Sequence, residues 1–206
     1  MTRIISGFAG SLRLNVPKSG TRPTSDRVRE AIFSALDSWE ILDGSYVLDL
    51  YAGSGALALE AVSRGAVSAV LVEKHPQAAH IAKANAAAVS NAYPVKGATS
   101  PKPRIEVVTK TVSSYLDALS ADGIPFDVIF IDPPYDLAED HLATDLIAVS
   151  QAVSADGVVL VERSSRSPEP TWPAASATSP GLVQFRRKDY GETVLWWAER
   201  ADREVE

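Results

Sequence analysis

From residue 46 onward, short apolar runs alternate with helical segments, and that alternation restricts the fold more than any other feature. Residues 46–50, 69–73, 105–108, 128–131 and 158–162 read as strands. Between them, 56–64 reads as a helix stopped by Gly65, and 76–89 as an alanine-rich helix with Pro76 in its first turn. Residues 112–119 and 139–153 complete the helices. Strands separated by helices predict a parallel sheet wound on both faces. A last pair, 182–187 and 193–198, folds back around Asp189-Tyr190-Gly191-Glu192. The expected class is α/β: a doubly wound, mainly parallel, Rossmann-like sheet with a C-terminal antiparallel hairpin. Ligands of such sheets bind at the carboxyl ends of the strands, near the switch point in strand order.

The first forty residues read as an extension to this unit, so the expected organisation is 1–40 and 41–200. Residues 3–7 and 11–14 form a small β-hairpin around Phe8-Ala9-Gly10. Arg22-Pro23-Thr24-Ser25-Asp26 then opens a helix with capping residues in place. Its apolar stripe is Val28, Ala31, Ile32, Ala35, Leu36 and Trp39, with Arg27, Arg29 and Glu30 lying off it. Residues 92–103 and 164–181 lack periodicity and read as loops, the second long and mobile.

Composition narrows the function classes. The chain is 46% hydrophobic and 22% charged, as in soluble globular proteins. No apolar run approaches a membrane span and no signal-peptide pattern opens the chain, so a cytoplasmic protein without a membrane partner is expected. There are no cysteines, which excludes disulfides, Fe–S clusters and thiolate zinc sites. His75, His80 and His141 are scattered, and no metal site is expected. The net charge of −6 argues against nucleic acid, but its distribution does not. Residues 1–30 hold Arg3, Arg13, Lys18, Arg22, Arg27 and Arg29 against only Asp26 and Glu30, a net of +4. A basic arm on an acidic body suits an anion held at one place. Arg22 and Arg27 flank a helix start, where free N–H groups also favour anions; a solvated helix face explains these arginines equally well.

The apolar run 128–131 ends abruptly in Asp132-Pro133-Pro134-Tyr135. Proline removes backbone donors and stiffens the residue before it, so the strand ends on a rigid platform. That platform carries a carboxylate, unpaired carbonyls and a flat ring. An exocyclic amine on a planar base is a poor nucleophile because its lone pair is delocalised. Acceptors on its N–H bonds, here the Asp132 carboxylate and the Pro133 carbonyl, draw the lone pair out and fix its direction. Tyr135 offers a stacking surface for an extruded base. A plain proline turn is the bland alternative.

The first strand runs into Gly53-Ser54-Gly55, and the second ends in Glu73, placed to accept ribose hydroxyls. Gly53 to Ala58 also fits the dinucleotide pattern G-x-G-x-x-G/A, which alone is weak. Asp49 separates the readings. An acid four residues before the first glycine sits badly beside a pyrophosphate but suits the cationic S-adenosylmethionine.

With these motifs together, the chain resembles the RsmD family of bacterial small-subunit (16S) ribosomal RNA guanine-N2 methyltransferases, class I enzymes dependent on S-adenosyl-L-methionine. The resemblance is carried by Arg3 to Gly7, by Arg22 to Phe33, by Asp49 to Glu60, by Asp132 to Tyr135 and by Tyr190-Gly191-Glu192. Asp-Pro-Pro-Tyr alone is shared with adenine amino-methyltransferases; the Arg-Pro-Thr helix start is more specific. The resemblance implies Asp49, Gly53 and Gly55 at the methionine part of the cofactor, Glu73 at the ribose, and Thr111 and Val112 at the adenine edge. It implies Asp132 and Pro133 at the guanine amine, Tyr135 stacked on the base, and Arg22, Thr24 and Arg27 on the RNA side. The implied partner is ribosomal RNA, naked or within an assembling small subunit, with the enzyme a monomer. The rival functions are adenine-N6 methylation of DNA or RNA, a non-catalytic RNA- or cofactor-binding module, and a nicotinamide oxidoreductase.

Overall fold

The computed structural model describes residues 2–17, 25–94, 101–119, 123–177 and 179–202. Five parallel strands form the body of the sheet: β3 (Tyr46–Leu50), β4 (Ser68–Val72), β5 (Arg104–Val108), β6 (Phe126–Ile131) and β7 (Val153–Ser164). With β8 (Leu182–Tyr190) and β9 (Thr193–Arg200), the order is β5-β4-β3-β6-β7-β9-β8. The pairs β7–β9 and β8–β9 are antiparallel, so the closing hairpin makes one edge of the sheet, as expected. The order reverses between β4-β3 and β6-β7, and the switch point therefore lies between β3 and β6. There Val47 to Leu50 pair in parallel with Val128 to Ile131.

Both sheet faces are apolar because side chains alternate along each strand. Val47, Val128, Phe130, Val158 and Leu160 belong to one core. Leu48, Leu50, Ile129, Ile131, Val159 and Val161 belong to the other. The first core is covered by α1 (Asp26–Ser38), α2 (Ala56–Ser63) and α3 (Pro76–Ala92), the second by α4 (Val112–Leu116) and α5 (Glu139–Ala152).

Several boundaries differ from the sequence reading, each for a tertiary reason. The N-terminal hairpin is only β1 (Thr2–Arg3) on β2 (Arg13–Leu14). Ile4 still bonds the returning arm, its N donating to Leu12 O and its O accepting from Ser11 N, both at 2.9 Å, but from Ile5 the backbone turns to α2. Ile5 N and Ser6 N donate to the two carboxylate oxygens of Glu60 at 2.6 and 3.0 Å. Phe8 N donates to Ser63 O at 2.9 Å. At Gly7, with φ at +82°, a Cβ would sit 1.8 Å from that same carbonyl, so only glycine admits the approach.

Strand β7 begins at Val153, five residues before the predicted start, and extends to Ser164 because β9 pairs with it as far as Ser164↔Thr193. The described residues of segment 165–181 are irregular, as expected of a loop, and part of the segment is anchored to the body. Trp172 lies against the second core, and Leu182 N donates to Pro173 O at 2.8 Å.

Helix α1 starts where the capping residues place it: the Ser25 side chain accepts from Val28 N. Its buried face is Val28, Arg29, Ile32, Phe33 and Leu36. Arg29 therefore does not lie off the buried stripe. It is fully buried, and its Nη2 donates to Arg3 O at 2.8 Å and to Asp26 Oδ1 at 2.7 Å. The charge faces inward because the chain's own first strand lies over that flank of the helix.

Glu60 is fully buried and accepts from Ile5 N, Ser6 N and, at 2.7 Å, Arg64 Nε. Removing it strands two backbone donors and leaves the mostly buried Arg64 with only Asp37 as a carboxylate partner. Glu60→Ala is expected to cost about 3 kcal/mol in urea unfolding, within the range for breaking a buried charged network. It is also expected to release residues 2–14 to limited proteolysis, which mass mapping of the first cleavage sites will read.

Candidate functional site

The site is built at the carboxyl ends of β3, β4, β6 and β7. Asp49 is 2% exposed, near the end of β3, and its Oδ2 accepts from Ala58 N in the first turn of α2 at 3.1 Å. Burial pushes this carboxyl up to about 8; the Ala58 hydrogen bond opposes the rise, and the charges of Asp132 and Glu73 add to it. Asp49 is thus a buried acid disfavoured as an anion, with the charges of two further acids acting on it.

Between β3 and α2 the chain makes a tight turn. Gly53 and Gly55 have φ of +55° and +80°, and a Cβ on Gly55 would meet Leu71 Cδ2 at 2.4 Å. Tyr51 also has a positive φ, +64°, a conformation that costs a non-glycine residue about 1–2 kcal/mol. Its hydroxyl donates to Asp145 Oδ2 on α5 at 2.7 Å, which offsets that strain. Burial raises the pKa of both partners, foremost among the causes.

Glu73, just past β4, is 7% exposed and held in one orientation. Gly53 N donates to its Oε2 at 2.9 Å and His75 N to its Oε1 at 2.7 Å. Glu73 thus fixes the glycine turn, with further lone pairs left on both oxygens. Thr111 caps α4 by accepting from Ser114 N at 3.2 Å, and Val112 behind it is buried. They follow β5, the strand beside β4, so they flank the Glu73 side of the turn.

Asp132 directly follows Ile131, which pairs with Leu50. This brings the Asp132 carboxylate close enough to act on the charge of Asp49. Pro133 is buried, while the Tyr135 side chain is 66% exposed, a ring standing free at the rim. A small cleft opens here, lined by Asp132, Pro133, Tyr135, Glu162, Arg163, Ser164 and Thr193. Of the residues expected on the RNA side, Arg27 is exposed on the first turn of α1, and Arg22 and Thr24 lie outside the described residues.

Three residues of this region carried no signal in the linear sequence. Arg163 is 5% exposed on β7; its Nη2 donates to Leu137 O at 3.4 Å and pairs with Glu139. Since Leu137 N closes a turn onto Pro134 O, Arg163 braces the segment after Asp-Pro-Pro-Tyr. Glu162 enters the cleft beside it. Asn85 on α3 is 1% exposed; its amide exchanges two 2.9 Å hydrogen bonds with the Asn15 backbone and donates a third to Ser54 O. One side chain thus ties the N-terminal arm to the glycine turn. In the sequence these are an ordinary strand charge and an amide in an alanine-rich helix; only register and packing bring them to the site.

Comparison with known proteins agrees with this arrangement. A family model described as "Conserved hypothetical protein 95" matches residues 2–199. The chain is 34% identical over 173 residues to the ribosomal RNA small subunit methyltransferase D of Escherichia coli K12, covering 84% of this chain and 79% of that one. It is 29% identical over 188 residues to the protein of the same name in Haemophilus influenzae, covering 89% and 91%. The solved structure of a hypothetical protein of Thermus thermophilus superposes with a TM-score of 0.77 at 32% identity, covering 97% and 99%. With that family match spanning nearly the whole chain and a relative 34% identical over 84% of it, the chain belongs to the RsmD family of small-subunit ribosomal RNA methyltransferases.

Proposed function

We propose that this protein transfers a methyl group from S-adenosyl-L-methionine to the exocyclic N2 amine of a guanine in small-subunit (16S) ribosomal RNA. The observation that carries the reading is the convergence of Asp49 and Asp132. They stand at the ends of two strands paired in register across the switch point, one carboxylate buried and destabilised as an anion and the other set immediately before two prolines and an exposed ring. A dinucleotide site would place a pyrophosphate beside Asp49 and is disfavoured by it.

The residues present fit the cofactor. Asp49 and the Gly53–Gly55 turn take its cationic amino-acid end, Glu73 the ribose hydroxyls, and Thr111 and Val112 the adenine edge. When bound, the cofactor supplies an activated methyl group on a sulfonium. The chain's part is to orient and desolvate. Asp132 and the Pro133 carbonyl accept from the two N2–H bonds, which turns the amine lone pair toward the donor. Asp132 then takes up the proton the amine loses on methylation. Tyr135 stacks on the extruded base. Arg163 holds the segment beyond the prolines through Leu137 O and Glu139.

In this reading residues 1–40 are an RNA-facing extension of a methyltransferase body, with Arg22, Thr24 and Arg27 contributing cationic and polar contacts. The acidic body favours a substrate whose proteins share the contact surface, an assembling small subunit, met by a monomeric cytoplasmic enzyme.

The direct test is labelled methyl transfer to small-subunit RNA and particles from a strain lacking the protein, followed by nucleoside analysis. N2-methylguanine is expected, and N6-methyladenine as the sole product would refute the proposal. Asp132→Ala is expected to lower kcat by about 10²–10⁴-fold, the usual worth of a positioned acid–base group. Its dissociation constant for S-adenosylhomocysteine should stay within about threefold of the parent's by calorimetry.

Asp49 gives a pH signature. Its folded pKa lies above its unfolded value, so the stabilisation from holding the proton is complete below about pH 4 and is lost as pH rises through about 8. In the free protein, stability should fall with pH across this window by up to about 1.4 kcal/mol per unit relative to Asp49→Asn. Cation binding favours the ionised form, so S-adenosyl-L-methionine affinity should rise from pH 6 to 8 in the parent and stay flat in Asp49→Asn.

A further inference from the structure

Beyond the amine-orienting acid, the cleft holds a second carboxylate to which the reaction assigns no role. Strands β6 and β7 pair in parallel with Ile131 opposite Val161, so Asp132 and Glu162 are the next residues of neighbouring strands. Side chains alternate: Ile131 and Val161 share one core, Phe130 and Leu160 the other. Glu162 lies opposite Leu195 of β9, on the Phe130–Leu160 side. This is also the side of Asp49, which pairs with Phe130. Asp132 and Glu162 line one cleft with Tyr135, and Glu162 is only partly buried.

Resting on the function proposed above, we infer that Glu162 determines base specificity by accepting the N1–H of the target guanine while Asp132 accepts from N2. The chemistry of the base edge carries the inference. Guanine presents N1–H and N2–H as adjacent donors; adenine presents an amine donor next to an N1 acceptor. Two neighbouring carboxylates form an acceptor–acceptor pair that matches the first pattern and repels the second. A single Asp-Pro-Pro-Tyr platform cannot make this distinction, because it grips any exocyclic amine. Ser164 and Thr193, which also line the cleft, offer hydroxyl donors for guanine O6.

The test replaces the target guanine, once mapped, by 2,6-diaminopurine in ligated small-subunit RNA, naked and reconstituted into particles. Diaminopurine keeps the N2 amine but presents an acceptor at N1. The parent enzyme should favour guanine by about 100-fold or more in kcat/KM, since sites built around buried polar partners reject unpaired analogues strongly. Glu162→Gln, whose amide can both donate and accept, should narrow the preference to below about tenfold while S-adenosylhomocysteine binding is unchanged. Glu162→Asp should lower kcat/KM yet keep the preference, because it remains only an acceptor. If Glu162→Gln lowers activity on both bases equally and leaves their ratio at the parent value, Glu162 is structural and the inference is overturned. If the parent labels no guanine N2 in either substrate, the proposed function falls and the inference with it.

Discussion

The parallel pairing of β3 with β6 is the contact on which the rest depends. Four consecutive register pairs, Val47↔Val128 to Leu50↔Ile131, fix the two strand ends at the same height. Two acids that are 83 positions apart in the chain are thereby brought near each other, and burial, with the charge of Asp132 adding to it, opposes the ionisation of Asp49. The sheet can hold them because its two apolar cores are extensive and continuous around the switch point. The unfavourable electrostatics is local.

Around that contact, buried polar groups hold irregular backbone in place. Glu73 fixes the glycine turn through Gly53 N, Asn85 holds the same turn through Ser54 O, and Tyr51 keeps a left-handed conformation while bonded to Asp145. Arg163 does the same for the segment after the prolines. Each is a side chain satisfying backbone or a buried partner, which gives a rigid site without regular structure. Glu60 and Asn85 extend the network to the N-terminal arm, so the arm and the glycine turn share supports.

The centre of the sheet was legible because β3 and β6 are buried on both faces and therefore nearly uninterrupted in apolar character. Residues 46–50 were placed to the residue, and the other parallel strands, β7 apart, within two. Legibility failed where a partner distant in sequence decides the outcome. The hairpin 3–7/11–14 shrank to two pairs because Glu60 and Ser63 take over its backbone groups. Arg29 and Phe33 joined the buried face of α1, the latter against Phe130 with ring centroids 6.0 Å apart. A periodicity argument assigns charge to solvent and cannot know that another segment covers it.

What the sequence determined by itself was the set of strands and helices, the glycine turn, the acid at each strand end and the proline platform. These depend on local sterics and on the short-range repeat of apolar side chains, both of which are written in neighbouring residues. Only the tertiary structure decided which acids meet, which charges turn inward and which side chains brace the loops. Those outcomes depend on strand order and register, and register is a property of two segments at once.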